Sequence, residues 1–310
     1  MESTMHGPMI LTQNLTRRFG DTLAVDALSL EVNPGEVFGF LGPNGAGKTT
    51  TVRMLTALIA PTSGTASING YRVGEEDMRI RRSVGLLTET PGLYDNLSAE
   101  RNLRIYADLY DVEQPDVQIK KYLGMLGLWD RRDEPAGTFS KGMRQKLAIA
   151  RALMHEPEVV FLDEPTAGLD PEASRLIRDF IVELRSLGRT IFLCTHNLDE
   201  ADRLCDRIGV FKTRLLVVDS PSHLRSQLFG RKVVFHLSRF EQGWVDLLAG
   251  QPFVDNVDYQ AGKIIVTVSD PEKYNPEMIR LLVQAGADIQ FVGELRRSLE
   301  EVYLHLVKDS

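Results

Sequence analysis

The sequence predicts an α/β protein in two domains: a largely parallel sheet carrying a helical insert, then a small α+β domain. Three observations carry that prediction. The 310 residues exceed the usual size of one compact core. Before about Asp219, short apolar runs alternate with helical stretches, the pattern of buried parallel strands joined by helices. After Gly230 the order changes to strand, helix, two strands, helix and strand, so the chain divides into residues 1–220 and 221–310.

Residues 37–41 form the first buried run, followed by a Gly-rich turn and a helical stretch over 48–60. Between about 95 and 155 the pattern is helical. Leu103, Ala107 and Tyr110 share one face there, and Leu147, Ala150, Arg151 and Met154 repeat the spacing, so this segment inserts between two strands. Residues 159–162 and 191–194 supply further strands. Beyond the break, strands over 232–237, 253–259, 263–268 and 288–292 with helices around Trp244 and Ile279 follow a ferredoxin-like order. A last helix, from Arg296 to Val307, lines up Leu299, Val302, Tyr303 and Leu306 at i, i+3, i+4 and i+7. Such a stripe must be buried, most often against its own domain's core.

Composition narrows the function. The formal charge is −7, from 36 Lys plus Arg against 43 Asp plus Glu, which disfavours non-specific nucleic-acid binding. The longest unbroken aliphatic and aromatic runs, 159–162 and 215–218, fall far short of the roughly 20 residues of a membrane helix. The stretch Met1 to Pro8 has neither a basic nor an apolar signal region, and the two cysteines, Cys194 and Cys205, form no disulfide framework. A reducing cytosol is the expected compartment.

The strongest local signal is Gly42, Pro43, Asn44, Gly45, Ala46, Gly47, Lys48, Thr49 and Thr50, lying between an apolar run and a helical one. Small residues let successive amides wrap a phosphate, and the helix N-terminus adds its positive dipole end. Lys48 then reaches the β- and γ-phosphates and the Thr49 hydroxyl ligates Mg²⁺. The four fixed positions match by accident in roughly one chain of this length per hundred. A P-loop alone leaves kinases, GTPases, helicases and transport ATPases open.

Two further segments choose among them. The run 159–162 ends in Asp163 and Glu164, where the first can hold the metal and the second can polarise a water for attack on the γ-phosphate. Ser140, Lys141 and Gly142 precede a second helix, with Ser140 suited to cap it and Gly142 leaving its amides open. On sequence alone that start is either a capped helix or a second phosphate site belonging to a partner subunit's nucleotide.

In these residues the chain closely resembles the ATP-binding subunit of an ATP-binding cassette (ABC) transporter, from Met9 to about Asp219. Gly42 to Thr49 matches the family's Walker A motif and Phe161 to Pro165 its Walker B motif with the glutamate. Phe139 to Met143 occupies the place of the signature, Ala167 to Asp170 that of the D-loop and Thr195-His196 that of the switch histidine. The resemblance implies that Phe19 stacks on adenine, that Asp170 and His196 join the nucleotide site, and that His196 helps Glu164 orient the attacking water. A small core aromatic is the other reading of Phe19. Two departures stand out. Glu89 stands where the family usually has a metal-sensing glutamine, and the signature reads Lys141 for a glycine and Met143 for a glutamine. A carboxylate at 89 can approach the metal, and Lys141 adds positive charge near an anion site, whereas Met143 lacks an amide.

The resemblance implies ATP and Mg²⁺ as cofactors and a head-to-tail homodimer, each ATP lying between residues 42–49 of one copy and 140–142 of the other. It implies an integral membrane permease on a separate chain, with the ATPase on the inner face of the cell membrane. The permease contact is expected between Glu89 and Tyr110, where Pro91, Leu93, Tyr94 and Leu97 either stand exposed or pack into the insert. The C-terminal domain, with Glu301 and Tyr303 in its final helix, is similar to the extension of ABC-2 type exporters, which favours export and a role in dimer support. A soluble ABC ATPase acting on ribosome or DNA is the alternative; it would be expected to carry two cassettes or a long coiled-coil insertion, and the sequence has neither.

Overall fold

The computed structural model describes residues 7–260, 262–295 and 298–308, so Met1 to His6, and Arg296 and Arg297 at the head of the last expected helix, lie outside the described residues. The chain divides into two compact units, the first through Ser220 and the second from Pro221.

The first unit opens with a hairpin that the apolar runs do not announce, β1 (Ile10–Phe19) and β2 (Thr22–Val32), paired antiparallel. Its strands are half-buried, with Ile10, Leu15, Val25, Leu28 and Val32 inward and polar neighbours outward, so their signal is alternation rather than a continuous run. Next come β3 (Val37–Leu41) and α1 (Lys48–Leu55). The helix is shorter than the expected 48–60, because Ala57 takes a left-handed φ of 55° and Pro61 disfavours helix at Ala60. Then follow β4 (Ser63–Ile68), β5 (Tyr71–Arg72), α2 (Asp77–Ser83) and β6 (Val84–Leu87). Strands β2-β1-β4-β5 form a separate four-stranded sheet.

The helical insert is α3 (Ala99–Leu109), α4 (Pro115–Met125) and α5 (Lys141–Ala152). Helix α5 stops two residues before Met154, which is nonetheless fully buried. The insert returns to β7 (Val159–Asp163), which pairs with β6, and the unit continues through α6 (Pro171–Ser186), β8 (Thr190–Thr195), α7 (Leu198–Leu204), β9 (Arg207–Lys212) and β10 (Arg214–Asp219). The main sheet runs β10-β9-β3-β8-β7-β6, parallel except for β10. Every residue of β3, β7 and β8 is buried, as a sheet covered on both faces requires. Phe38, Phe40, Phe161, Phe192 and Phe211 interlock at its centre, with ring centroids 4.6 to 5.6 Å apart.

The second unit begins with α8 (Pro221–Phe229) and continues through β11 (Lys232–Leu237), α9 (Gln242–Ala249), β12 (Val254–Gln260), β13 (Lys263–Val268), α10 (Pro271–Gln284), β14 (Ile289–Glu294) and α11 (Leu299–Lys308). Its sheet has the ferredoxin-like order β12-β13-β11-β14, antiparallel throughout. Phe235, Trp244, Leu248, Ile264, Val266, Met278 and Leu282 fill its core. On α11, Leu299 and Val302 are buried while Leu304 is exposed, so only part of the apolar helix is covered within the unit.

Candidate functional site

The site grows out of the C-terminal ends of neighbouring parallel strands. Strand β3 ends at Leu41, opposite Thr195 of β8, and Asp163 at the end of β7 lies opposite Cys194. Three loops therefore leave the sheet at one edge, where ligands of open α/β sheets bind.

The first loop, residues 42–47, is crowded by backbone. A methyl group at Gly42 would stand 2.2 Å from the Phe211 carbonyl oxygen, and one at Gly47 2.2 Å from that of Ala24. Gly47 also has a φ of 105° and no side chain caps α1, so the first amides of the helix remain available to an acceptor. Lys48 is 7% exposed, its Nζ donating to the carbonyls of Gly42 at 2.7 Å and Pro43 at 3.3 Å. Pro43, Asn44 and Gly45 form an exposed rim, Ala46 is buried, and Thr50 is half-buried in the first turn of α1. A compact anion could take the Lys48 ammonium from those two carbonyls.

The second loop follows β7. Asp163 is 4% exposed and accepts a 2.9 Å hydrogen bond from Thr49 Oγ1. Burial pushes its carboxyl up, opposed by the Thr49 hydrogen bond; the charges of Glu164 and Glu89 add to the rise and Lys48 opposes it. The donors here are a hydroxyl and carboxylates, the hard oxygen ligands that suit Mg²⁺. Among the described residues no group of three or more His, Cys, Asp and Glu forms a metal cage, so such an ion would draw most of its ligands from water and phosphate.

Glu164 has a left-handed φ of 52°, a conformation such residues adopt only where surroundings enforce it. Its amide donates to Cys194 O at 2.9 Å. Its Oε1 is 2.8 Å from His196 Nδ1 and 3.8 Å from Lys48 Nζ, and Thr195 Oγ1 lies 3.5 Å from Oε2. His196 is 58% exposed, so a largely buried carboxylate is bridged to a solvent-facing imidazole.

Glu89 follows β6 and is exposed, yet its charge is felt at Asp163. Its loop is held from behind: Asn102, 1% exposed, bonds the backbone of Tyr94, Leu97 and Ser98, and Arg151 Nη1 donates to Gly92 O at 2.6 Å. Tyr94 is exposed there, whereas Pro91, Leu93 and Leu97 are half-buried, so the open apolar surface is smaller than the composition of the loop suggests. Phe19, at the end of β1, is 46% exposed with the Arg17 guanidinium 4.4 Å over its ring. It is not a core aromatic.

A second cluster stands apart. Ser140 Oγ accepts from Met143 N at 3.3 Å and caps α5, while Asp170 Oδ1 accepts from Ala173 N at 2.8 Å and caps α6. Gly142 is buried against Ala173, and the Lys141 ammonium lies against Gly168. Met143 Sδ meets Arg131 Nη1 at 3.3 Å. Among the described residues no hydrogen bond or ion pair joins Ser140, Lys141, Gly142 or Asp170 to residues 42–50, Glu164 or His196. Sequence reasoning assigned no role to Asn102, Thr166 and Glu200, which carry no motif, and read Arg151 only as part of the shared face of the insert helix.

Comparison with known proteins agrees with this architecture. Residues 25–167 match the family model described as ABC transporter. The bacitracin transport ATP-binding protein BcrA of Bacillus licheniformis is 37% identical over 303 residues, 96% of this chain and 97% of that protein. The Nod factor export ATP-binding protein I of Rhizobium sp. (strain N33) is 34% identical, covering 94% of each chain. A solved dimeric ATP-binding cassette in a post-hydrolysis state, bound to ADP and Pi, aligns with a TM-score of 0.63 and 25% identity over 68% of this chain and 98% of that one. Full-length similarity of this kind, over a sheet edge that presents lysine, carboxylates and histidine together, assigns the chain to the ABC transporter family as an ATP-binding ATPase subunit.

Proposed function

We propose that this chain powers export through a separate membrane permease, two copies closing head to tail around ATP and Mg²⁺. The observation that carries the reading is that the two clusters make no bond with one another. Among the described residues no hydrogen bond or ion pair joins the loop with Lys48, Glu164 and His196 to the start of α5 at Ser140 and Gly142. A second copy, turned end for end, supplies each cluster with the other. The bacitracin transport and Nod factor export proteins match both units of this chain, which favours a transport ATPase, and export in particular, over a ribosome- or DNA-directed one. No helix among the described residues is long and apolar enough to cross a membrane, which supports a separate permease and a peripheral position on the inner face of the membrane. The second unit serves dimer support.

In the reaction, the amides of residues 45–50 and Lys48 bind the phosphates, and Thr49, Asp163 and Glu89 are the groups that would hold the metal. Magnesium, when bound, offsets phosphate charge. Phe19 offers a face to adenine and Asp170 borders the partner's site. Glu164 takes the proton of the attacking water at a carboxylate oxygen, while His196 fixes that carboxylate through its 2.8 Å contact and reaches toward the γ-phosphate. Ser140, Lys141 and Gly142 of the partner close the site and exclude water.

The test is Glu164→Gln. It should bind ATP, lose roughly a hundred-fold or more in turnover, and elute as a dimer in ATP where the parent elutes as a monomer. Parental turnover by this variant removes Glu164 as base, and a Glu164→Gln protein that binds ATP yet stays monomeric removes the dimer.

A further inference from the structure

Thr213 carries no motif and sits at the turn between β9 and β10, with Lys212 and Arg214 paired on either side of it. Its φ is 63°, in the left-handed region that a β-branched residue enters only under constraint. Both of its backbone groups are engaged outside the hairpin. The amide donates to the Ala46 carbonyl at 2.9 Å, and the carbonyl accepts from the Asp26 amide of β2 at 2.7 Å. The side-chain hydroxyl takes no part in these contacts.

The glycine-rich loop leans on the same hairpin at two more points. The Phe211 carbonyl oxygen fills the space of a Gly42 side chain, and the Phe211 ring edge lies 3.2 Å from where a Gly47 Cβ would stand. The Ala24 carbonyl of β2 crowds Gly47 as well. Because Asp26 bonds Thr213, the hairpin and β2 form one backbone frame around the loop.

Ala46 and Gly47 share a single peptide group. Its carbonyl is the one Thr213 holds, and in a trans peptide the N–H points the opposite way. That N–H belongs to Gly47, which is half-buried, and it has no backbone acceptor among the described residues. A donor on a carbonyl also polarises its peptide and strengthens the N–H at the other end.

We infer that Thr213 is a positioning residue for the triphosphate: its amide draws the Ala46 carbonyl outward, which aims the Gly47 N–H at the phosphates and makes it a better donor. This rests on residues 42–50 being the phosphate cradle. The left-handed turn lets one residue present its amide to the loop and its carbonyl to β2, and the Asp26 bond keeps that turn from relaxing.

A backbone ester at position 213 removes this one donor. It is installed in the full chain by nonsense suppression with the α-hydroxy acid of valine and compared with Thr213→Val, which has the same side chain and keeps the amide. Phosphate release at varied MgATP, titration with an ATP analogue and thermal melting are measured on both. The ester should raise KM and the dissociation constant of the analogue about three- to ten-fold over Thr213→Val, the share of one hydrogen bond, with kcat at saturating MgATP within about two-fold. A merely structural loss does the reverse, lowering kcat through a smaller folded fraction while KM stays. Equal KM in the two proteins overturns the inference, as does a fall in kcat alone. It is also overturned if Thr213→Val already raises KM over the parent by as much as the ester does, since the hydroxyl is then responsible. If the ester protein does not fold, nuclear magnetic resonance of the parent decides. The Thr213 amide proton should move downfield and exchange more slowly when the analogue and Mg²⁺ are added, because phosphate polarises the shared peptide from its other end; an unmoved resonance overturns the inference. Lys48→Ala separates the two levels. If it loses analogue binding while the ester matches Thr213→Val, only the role of Thr213 falls; if it binds and turns over like the parent, the cradle falls and takes this role with it.

Discussion

Replacing Gly47 by alanine tests the phosphate cradle where the backbone leaves no room for a side chain. At φ 105° a Cβ is strained whatever surrounds it, at a cost of about 1 to 3 kcal/mol. The new methyl would also stand 2.2 Å from the Ala24 carbonyl oxygen, short of the 3.0 Å that real contacts respect by 0.8 Å. Neither atom belongs to a flexible side chain, so the loop or β2 must move by most of that distance. Strain of about 2 kcal/mol corresponds to a melting-temperature loss of roughly 4 to 8 °C for a unit of this size. Displacing phosphate-binding amides by nearly an ångström costs on the order of a hundred-fold in rate. Gly45→Ala is the control, since φ there is 79° but no heavy atom lies within 4 Å of the added carbon. Differential scanning fluorimetry and phosphate release on both variants should show strain in each and a rate loss at least about ten-fold greater for Gly47→Ala. Equal rates in the two variants would refute the crowding argument.

Phe19→Ala should raise the KM for ATP by roughly ten-fold, the equivalent of about 1 to 3 kcal/mol of base stacking, with kcat little changed; unaltered ATP-analogue binding would exclude the ring from the base site. Asp163→Asn should melt at a higher temperature than the parent without nucleotide near neutral pH, yet lose turnover. The sign follows from its raised carboxyl: the folded chain holds that proton more tightly than the unfolded one, so the group adds stability as pH falls into the carboxylate range and removes it as pH rises through the raised value. A less stable Asp163→Asn protein at neutral pH, measured by thermal melting without Mg²⁺, would contradict this.

Much of the fold was legible because the buried strands are written as continuous apolar runs. Strands β3, β7 and β8 are buried at every position and leave no other reading. The hairpin β1–β2 was not legible, since half its residues face solvent and Asn14 and Ala27 take positive φ, breaking the alternation. The end of α1 was misjudged by five residues, for apolar content continues past the point where Ala57 leaves helical conformation. Asn102 could not be found and Arg151 was legible only as part of a helix face, because their importance lies in the backbone groups they hold, not in their own neighbours in sequence.

By itself the sequence determined what neighbouring residues impose on one another: a glycine-rich loop between a buried strand and a helix, two carboxylates at a strand end, a hydroxyl at a helix start. Loops of this kind set their own backbone geometry, so their chemistry survives being read one segment at a time. Only the tertiary structure decided which groups meet. Thr49 and Asp163 are 114 residues apart, Glu164 and His196 32, Thr166 and Glu200 34. They meet because β3, β8 and β7 lie side by side in parallel register and end at one edge. That registry comes from cooperative burial of the whole sheet, a property no short segment carries.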